Sequence, residues 1–165
     1  MAVARRAGTE DVEAVASLMA EFHDVEGAGR PDDEAIRAGV VRLIDADEAE
    51  FFLAGEPPVG VAVVRYRWAL MSQAGDAYLE DLYVRESRRR DGLGRALLEA
   101  AFASARERGA IRIELGASEG DTEAIAFYEA LGFENRFDGG DGPRALFYAR
   151  WIAEPPPWED PSEPL

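Results

Sequence analysis

An α/β fold built on one mixed, mostly antiparallel sheet is predicted for this 165-residue chain by three observations. First, Tyr78, Leu79, Leu82, Tyr83 and Val84 favour a strand, which passes through a short basic turn into a helix in which Leu93, Leu97, Ala101 and Ala105 recur at four-residue intervals. Second, Ala49 to Ala54 and Val59 to Trp68 read as strands flanking Gly55-Glu56-Pro57-Pro58, a turn that makes them an antiparallel hairpin. Third, Arg108-Gly109 stops the long helix just before Ile111, Ile113 and Leu115 alternate with Arg112 and Glu114, giving a strand–helix–strand crossover. Hairpins combined with a crossover define a mixed sheet flanked by helices.

In order, Val3 to Arg6 reads as a short first strand, and Thr9 as the cap of a helix with Glu10 and Asp11 in its first turn. Val12, Val15, Leu18, Met19 and Phe22 share one face of that helix, which is expected to end near His23. Gly27 and Gly29 mark the connection to a second helix, opened by Pro31 and the acids Asp32, Asp33 and Glu34, and carrying Ile36, Val40, Leu43 and Ile44. The hairpin follows, then a link from Leu70 to Gly75, then the central strand. Beyond the crossover, Asp121 is placed to cap a helix from about Thr122 to Leu131, and Gly132 ends it. Phe133 to Phe137 and Arg144 to Ile152 read as strands around the turn-rich Asp138-Gly139-Gly140-Asp141-Gly142. The order is β-α-α-β-β-β-α-β-α-β-β. One domain over residues 1–153 is expected, followed by a proline- and acid-rich tail at 154–165 with little capacity to build a core.

Composition narrows the function. There is no cysteine, which excludes disulfide and thiol chemistry, and His23 is the one histidine, which argues against a zinc site of the usual His/Cys kind or a His-based triad, so no metal is expected. No apolar run approaches a membrane span, and MAVARRAG does not read as a secretory signal, so a cytoplasmic location with no membrane partner is expected. The net charge of −15 opposes nucleic acid as a general partner and suits a cationic small molecule.

The basic turn carries the most specific signal. Gly92 and Gly94 flank Leu93 at the start of the long helix, where the first amides lack partners and the peptide dipoles favour an anion such as phosphate. A dinucleotide fingerprint fails because Leu97 stands where its third glycine belongs, and a phosphate-loop signature fails because no lysine follows. What remains is R-x-x-G-x-G at Arg89 to Gly94, directly after Leu-Tyr-Val, with FYEALGF further on. This arrangement resembles the GCN5-related N-acetyltransferase (GNAT) family, over roughly residues 3 to 152. The resemblance implies a single-domain acyl-CoA N-acyltransferase fold in which the strand before the turn splays from its neighbour and acetyl-CoA enters the opening as cosubstrate.

On that resemblance Leu82, Tyr83 and Val84 match the positions that pair with the pantetheine arm. Arg89, Arg90, Asp91, Gly92, Leu93, Gly94 and Arg95 form the pyrophosphate set. Tyr128, in FYEALGF, matches the general acid that protonates the departing CoA sulfur, a role a phenol can fill at neutral pH. Seven residues earlier the family often has asparagine; here Asp121 can accept but not donate, so it stands both as a cofactor-side residue and as a helix cap. Glu80 is the first choice for the base, with Asp81 or an ordered water as alternatives. In an ideal strand Glu80 shares a face with Tyr78, Leu82 and Val84, and Asp81 shares the other with Leu79 and Tyr83, an alternation that a bulge would alter. Phe22, His23, Asp24 and Glu26 fall where similar enzymes build one wall of the acceptor pocket, while Trp68, Arg144, Tyr148 and Trp151 are candidates for the pocket or a subunit interface.

The implied activity is transfer of an acetyl group from acetyl-CoA to a primary amine of a small, cationic molecule, directly within a ternary complex, since no nucleophile is indicated. A protein or peptide N-acetyltransferase, and a CoA-binding regulatory module with little catalysis, are the alternatives. Many related proteins dimerise, and a homodimer is among the assemblies the resemblance allows.

Overall fold

A computed structural model describes residues 2–136, 142–146, 150, 152 and 154–159. The chain forms two compact units, Met1–Leu115 with Pro157–Glu159, and Gly116–Pro156 with Asp160–Leu165.

The first unit is a five-stranded sheet with strands in sequence order: β1 (Ala4–Arg6), β2 (Ala49–Ala54), β3 (Gly60–Ala69), β4 (Ala74–Val84) and β5 (Ala110–Leu115). The first four are antiparallel neighbours and β5 joins β4 in parallel, giving the mixed sheet expected from hairpins and one crossover. Helices α1 (Val12–Glu26) and α2 (Asp33–Asp45) supply Val15, Leu18 and Val40 to a core with Phe51, Leu53, Val61, Val63 and Tyr83. The alternate strand positions turn to α3 (Leu93–Glu107), as shown by Glu50 meeting Ser104 and by the approach of Leu97 to Gly60.

That second face buries a carboxylate. Glu50 has no exposed side-chain surface; its Oε2 accepts from Tyr66 Oη at 2.5 Å and Ser104 Oγ at 2.6 Å, and its Oε1 lies 2.8 Å from Arg6 and 3.5 Å from Arg108. Burial, then Glu50, pushes the Tyr66 phenol up. A charge so deep persists only because cations and hydroxyls surround it.

Two helix boundaries differ from expectation. Thr9 does not cap α1: Thr9–Asp11 forms a 3-10 turn, and Asp11 turns its carboxylate back to the Gly8 amide at 2.9 Å and to both Arg5 nitrogens at 2.6 Å. The bidentate charged pair outcompetes a hydroxyl cap. Helix α1 also runs past His23 to Glu26, because Gly27, at φ 69°, supplies the left-handed turn that closes it. Helix α2 starts as read, with the Asp32 carboxylate accepting from the Ala35 amide at 2.8 Å.

The second unit contains α4 (Thr122–Glu129), opened by Asp121, whose side chain accepts from the Ala124 amide at 3.0 Å. Within the described residues the last two predicted strands reduce to an antiparallel bridge between Arg136 and Arg144. Phe137 to Asp141, Phe147 to Ala149, Trp151, Ala153 and Asp160 to Leu165 lie outside the described residues, so the expectations for Tyr148, Trp151 and much of the final strand and tail fall there.

Candidate active site

The centre of the first unit is an irregularity in β4. Asp81 pairs with Val63 and Leu79 with Val64, so Glu80 is an extra residue between successive rungs. The bulge breaks the simple alternation. Asp81 and Tyr83 register with Val63 and Val61 on the α1/α2 face, whereas Leu79 and Leu82 register with Val64 and Ala62 on the opposite one. The ideal-strand expectation that Leu79 and Asp81 share a face is therefore corrected, and adjacent Glu80 and Asp81 come to line one cavity.

The cavity, of about 180 Å³, is walled by Met19 and His23 of α1, by Arg30, Pro31, Ile36, Gly39, Val40 and Leu43 from the connection and α2, and by Phe51 and Val63 from the sheet. Asp81 is the tuned group: burial, then the neighbouring Glu80 charge, lift its carboxyl to about 6, with His23 opposing. Glu80 is more open and lies 3.8 Å from Arg65. Among the described residues the buried Nδ1 of His23 has no hydrogen-bond partner.

Of the residues expected at the acceptor wall, His23 alone lines this cavity. Phe22 stacks on Tyr83 with ring centroids 5.3 Å apart. Asp24 is bound to Arg30 at 2.7 Å, and Glu26 is exposed at the end of α1. The α2 side of the cavity was not anticipated: Ile36, Val40 and Leu43 read as ordinary core positions, and nothing in a helical period says that a face borders a void. Glu21 was also missed. It accepts from Tyr83 Oη at 2.9 Å and pairs with Arg85 at 2.7 Å, tying the end of β4 to α1, and Arg85, first of all, draws its carboxyl down.

Beside the bulge the sheet opens. Strand β5 follows β4 only as far as the Leu79–Leu115 pair, and among the described residues no strand pairs with Glu80 to Val84 on that side. Leu82, Tyr83 and Val84 therefore lie along a stretch of β4 whose one strand partner among the described residues is β3. After a 3-10 turn at Glu86–Arg88, Gly92 at φ 80° starts α3 with no side-chain cap, which leaves the first amides, at Leu93, Gly94 and Arg95, without intrahelical acceptors. Around them Asp91 pairs with Arg88 at 2.8 Å, Arg89 Nε reaches the Val84 carbonyl at 3.3 Å, Arg90 holds a left-handed φ of 68°, and Arg95 lies 4.0 Å from Glu99. An uncapped helix start preceded by glycine and arginines, joined to a half-paired strand, fits a diphosphate with an extended amide-bearing arm.

In the second unit Asp121 acts as the α4 cap, and Tyr128 sits in the last turn with Phe127 and Phe133 around its ring at centroid distances of 5.5 and 5.6 Å.

A half-open parallel pair, a bulge at its fork and a glycine-opened helix beneath it define an acyltransferase scaffold, and the chain belongs to the acetyltransferase (GNAT) family, whose model matches residues 13–133. It is 33% identical over 120 residues to a thialysine N-epsilon-acetyltransferase of Caenorhabditis elegans, covering 71% of each chain, and 27% identical over 124 residues to the Bos taurus protein of that name, covering 71% and 73%. Among solved structures it resembles an acetyltransferase from Arthrobacter sp. FB24, with TM-score 0.83, 36% identity, and 90% and 96% of the two chains covered. A metagenomic aminoglycoside acetyltransferase, solved with sisomicin, shares the fold at TM-score 0.72 and 21% identity, over 91% and 96% of the chains. Among the described residues no helix is long and apolar enough to cross a membrane, and no cluster of His, Asp or Glu is arranged to hold a metal ion.

Proposed function

We propose that the protein transfers an acetyl group from acetyl-CoA to the primary amine of a small molecule that is cationic in solution. The observation that carries this reading is the carboxylate pair at the β4 bulge: two acids face one apolar cavity at the point where β4 loses its β5 partner. The relatives named for acetylation of an amine support it.

Bound acetyl-CoA would supply the activated acyl group. The residues that would hold it are Leu82 to Val84, through the backbone of the half-paired strand, and Arg89 to Arg95, through α3 amides assisted by guanidinium charge. Asp81 accepts the surplus proton of the amine, because a carboxyl near 6 is largely ionised at neutral pH and still more basic than an ordinary aspartate. Glu80 assists by holding that carboxyl up through its own charge. A backbone amide of the stretch beyond the Leu79–Leu115 pair would polarise the thioester carbonyl. By the family resemblance of its FYEALGF segment, Tyr128 would be the proton donor to the CoA sulfur.

The experiment is a thiol-release assay with acetyl-CoA over a panel of amines and peptides, with product masses measured. Thiol release that requires an amine and yields its acetyl adduct supports the proposal. Stoichiometric CoA binding without transfer to any amine or peptide would replace it with a CoA-binding regulatory role.

A further inference from the structure

The cavity beside Asp81 is unusual in what it lacks. Apart from Glu80, Asp81 and the His23 Nδ1, the one polar side chain among the described lining residues is Arg30, and that guanidinium is already committed. It donates to Asp24 at 2.7 and 3.1 Å, to Asp33 at 2.7 Å and to the Pro31 carbonyl at 3.1 Å. A ligand carboxylate would find no uncommitted cation among the described lining residues. A second ammonium reaching past the acids would meet the apolar side chains of Met19, Ile36, Val40 and Leu43, where an unpaired charge is strongly disfavoured. At about 180 Å³ the space is also below the ~300–1,000 Å³ of clefts that enclose drug-sized ligands.

One wall residue is out of place on structural grounds. Gly39 lies in the middle of α2, where glycine is a poorer helix former than alanine. Its backbone does not require glycine, since it is absent from the positive-φ positions, and a Cβ built there meets nothing within 4 Å. Neither helix conformation nor close packing accounts for it. What its missing side chain does provide is room in the cavity it lines.

We infer that the cavity selects a primary amine carried on a short apolar arm with no second charge, and that Gly39 sets how far that arm can extend. The inference rests on the reading of this cavity as the acceptor site. The amine head sits against Asp81, Glu80 and His23, and the arm lies along α2.

The test compares kcat/KM for propylamine, butylamine, hexylamine, 1,4-diaminobutane, lysine and S-(2-aminoethyl)cysteine in the full-length protein and in Gly39→Ala and Gly39→Leu, with CoA affinity and Tm measured alongside. The expected result is at least tenfold preference for butylamine over the diamine and both amino acids. In the variants the hexylamine-to-propylamine ratio falls at least fivefold, more in Gly39→Leu, while CoA affinity holds and the Gly39→Ala Tm is equal or higher. Preferred acetylation of a diamine or amino acid, or an unmoved ratio in folded variants, overturns the inference and leaves acetyl transfer standing. If the protein binds CoA and acetylates no amine or peptide, the acceptor-site reading falls and takes this inference with it.

Discussion

Glu80 and Asp81, adjacent on β4, line the same cavity because Glu80 is the extra residue of a bulge and Asp81 holds the rung opposite Val63. Neighbours on a regular strand would point to opposite faces. Their proximity couples them: the Glu80 charge, added to burial, raises the Asp81 carboxyl to about 6. The acid limb of kcat/KM is therefore expected near pH 6. Asp81→Asn should abolish that limb and lower kcat by about 10²-fold or more, whereas Glu80→Gln should move it to lower pH. A limb unaltered by either change would remove both from the proton transfer.

The same carboxyl makes a stability prediction of opposite sign. With its pKa raised from 3.8 to about 6, the native state keeps a proton that the unfolded chain has lost, so this group lowers stability as pH rises from about 4 to about 6. Asp81→Asn is expected to stabilise by ~1–2 kcal/mol at pH 7, after allowance for partial solvent access, and by nothing at pH 4. Denaturant titrations at the two pH values measure the difference.

Tyr128→Phe removes a proton donor and keeps the ring that Phe127 and Phe133 surround. Turnover is expected to fall ~10²-fold with CoA affinity changed by less than about twofold. Isothermal titration beside steady-state kinetics separates the two; equal losses in both would assign Tyr128 to binding.

Gly92 opens α3 at φ 80°, and a Cβ there would have as its nearest neighbour the Ala2 Cβ at 3.7 Å, which is ordinary contact. The cost of Gly92→Ala is thus conformational, about 1 kcal/mol. Because the left-handed turn at Gly92 aims the α3 amides, CoA affinity is expected to fall at least fivefold by titration. Unchanged affinity would dissociate this turn from the diphosphate.

Fully buried, Glu50 accepts two hydrogen bonds at Oε2 and pairs by charge with Arg6 and Arg108 at Oε1. Ser104→Ala should cost about 1–2 kcal/mol, and Glu50→Gln about 3 kcal/mol, since the second takes from Arg6 and Arg108 the carboxylate that pairs with them. Urea unfolding midpoints test the order; a Glu50→Gln protein as stable as the parent would mean that the buried charge contributes nothing net.

The strand–turn–helix at Ala77 to Glu107, the hairpin around Gly55 to Pro58 and the crossover into β5 were legible from sequence because each rests on local chemistry. Apolar spacing, turn residues and an uncapped glycine start act within a few positions of themselves. With the later FYEALGF segment they were enough to give the family resemblance and the order of elements along the chain from Val3 to Leu131. They could not decide on which side of β4 Glu80 and Asp81 fall, because a bulge arises from how β3 and β4 pair and leaves no mark in the period of either strand. Nor could they reveal that Ile36, Val40 and Leu43 border a cavity, that Gly39 faces open space, or that Glu50 is enclosed by Arg6, Tyr66, Ser104 and Arg108. Those facts depend on side chains far apart in the chain meeting across a packed sheet, which is where the tertiary structure sets both the shape of the pocket and the proton affinity of its acid.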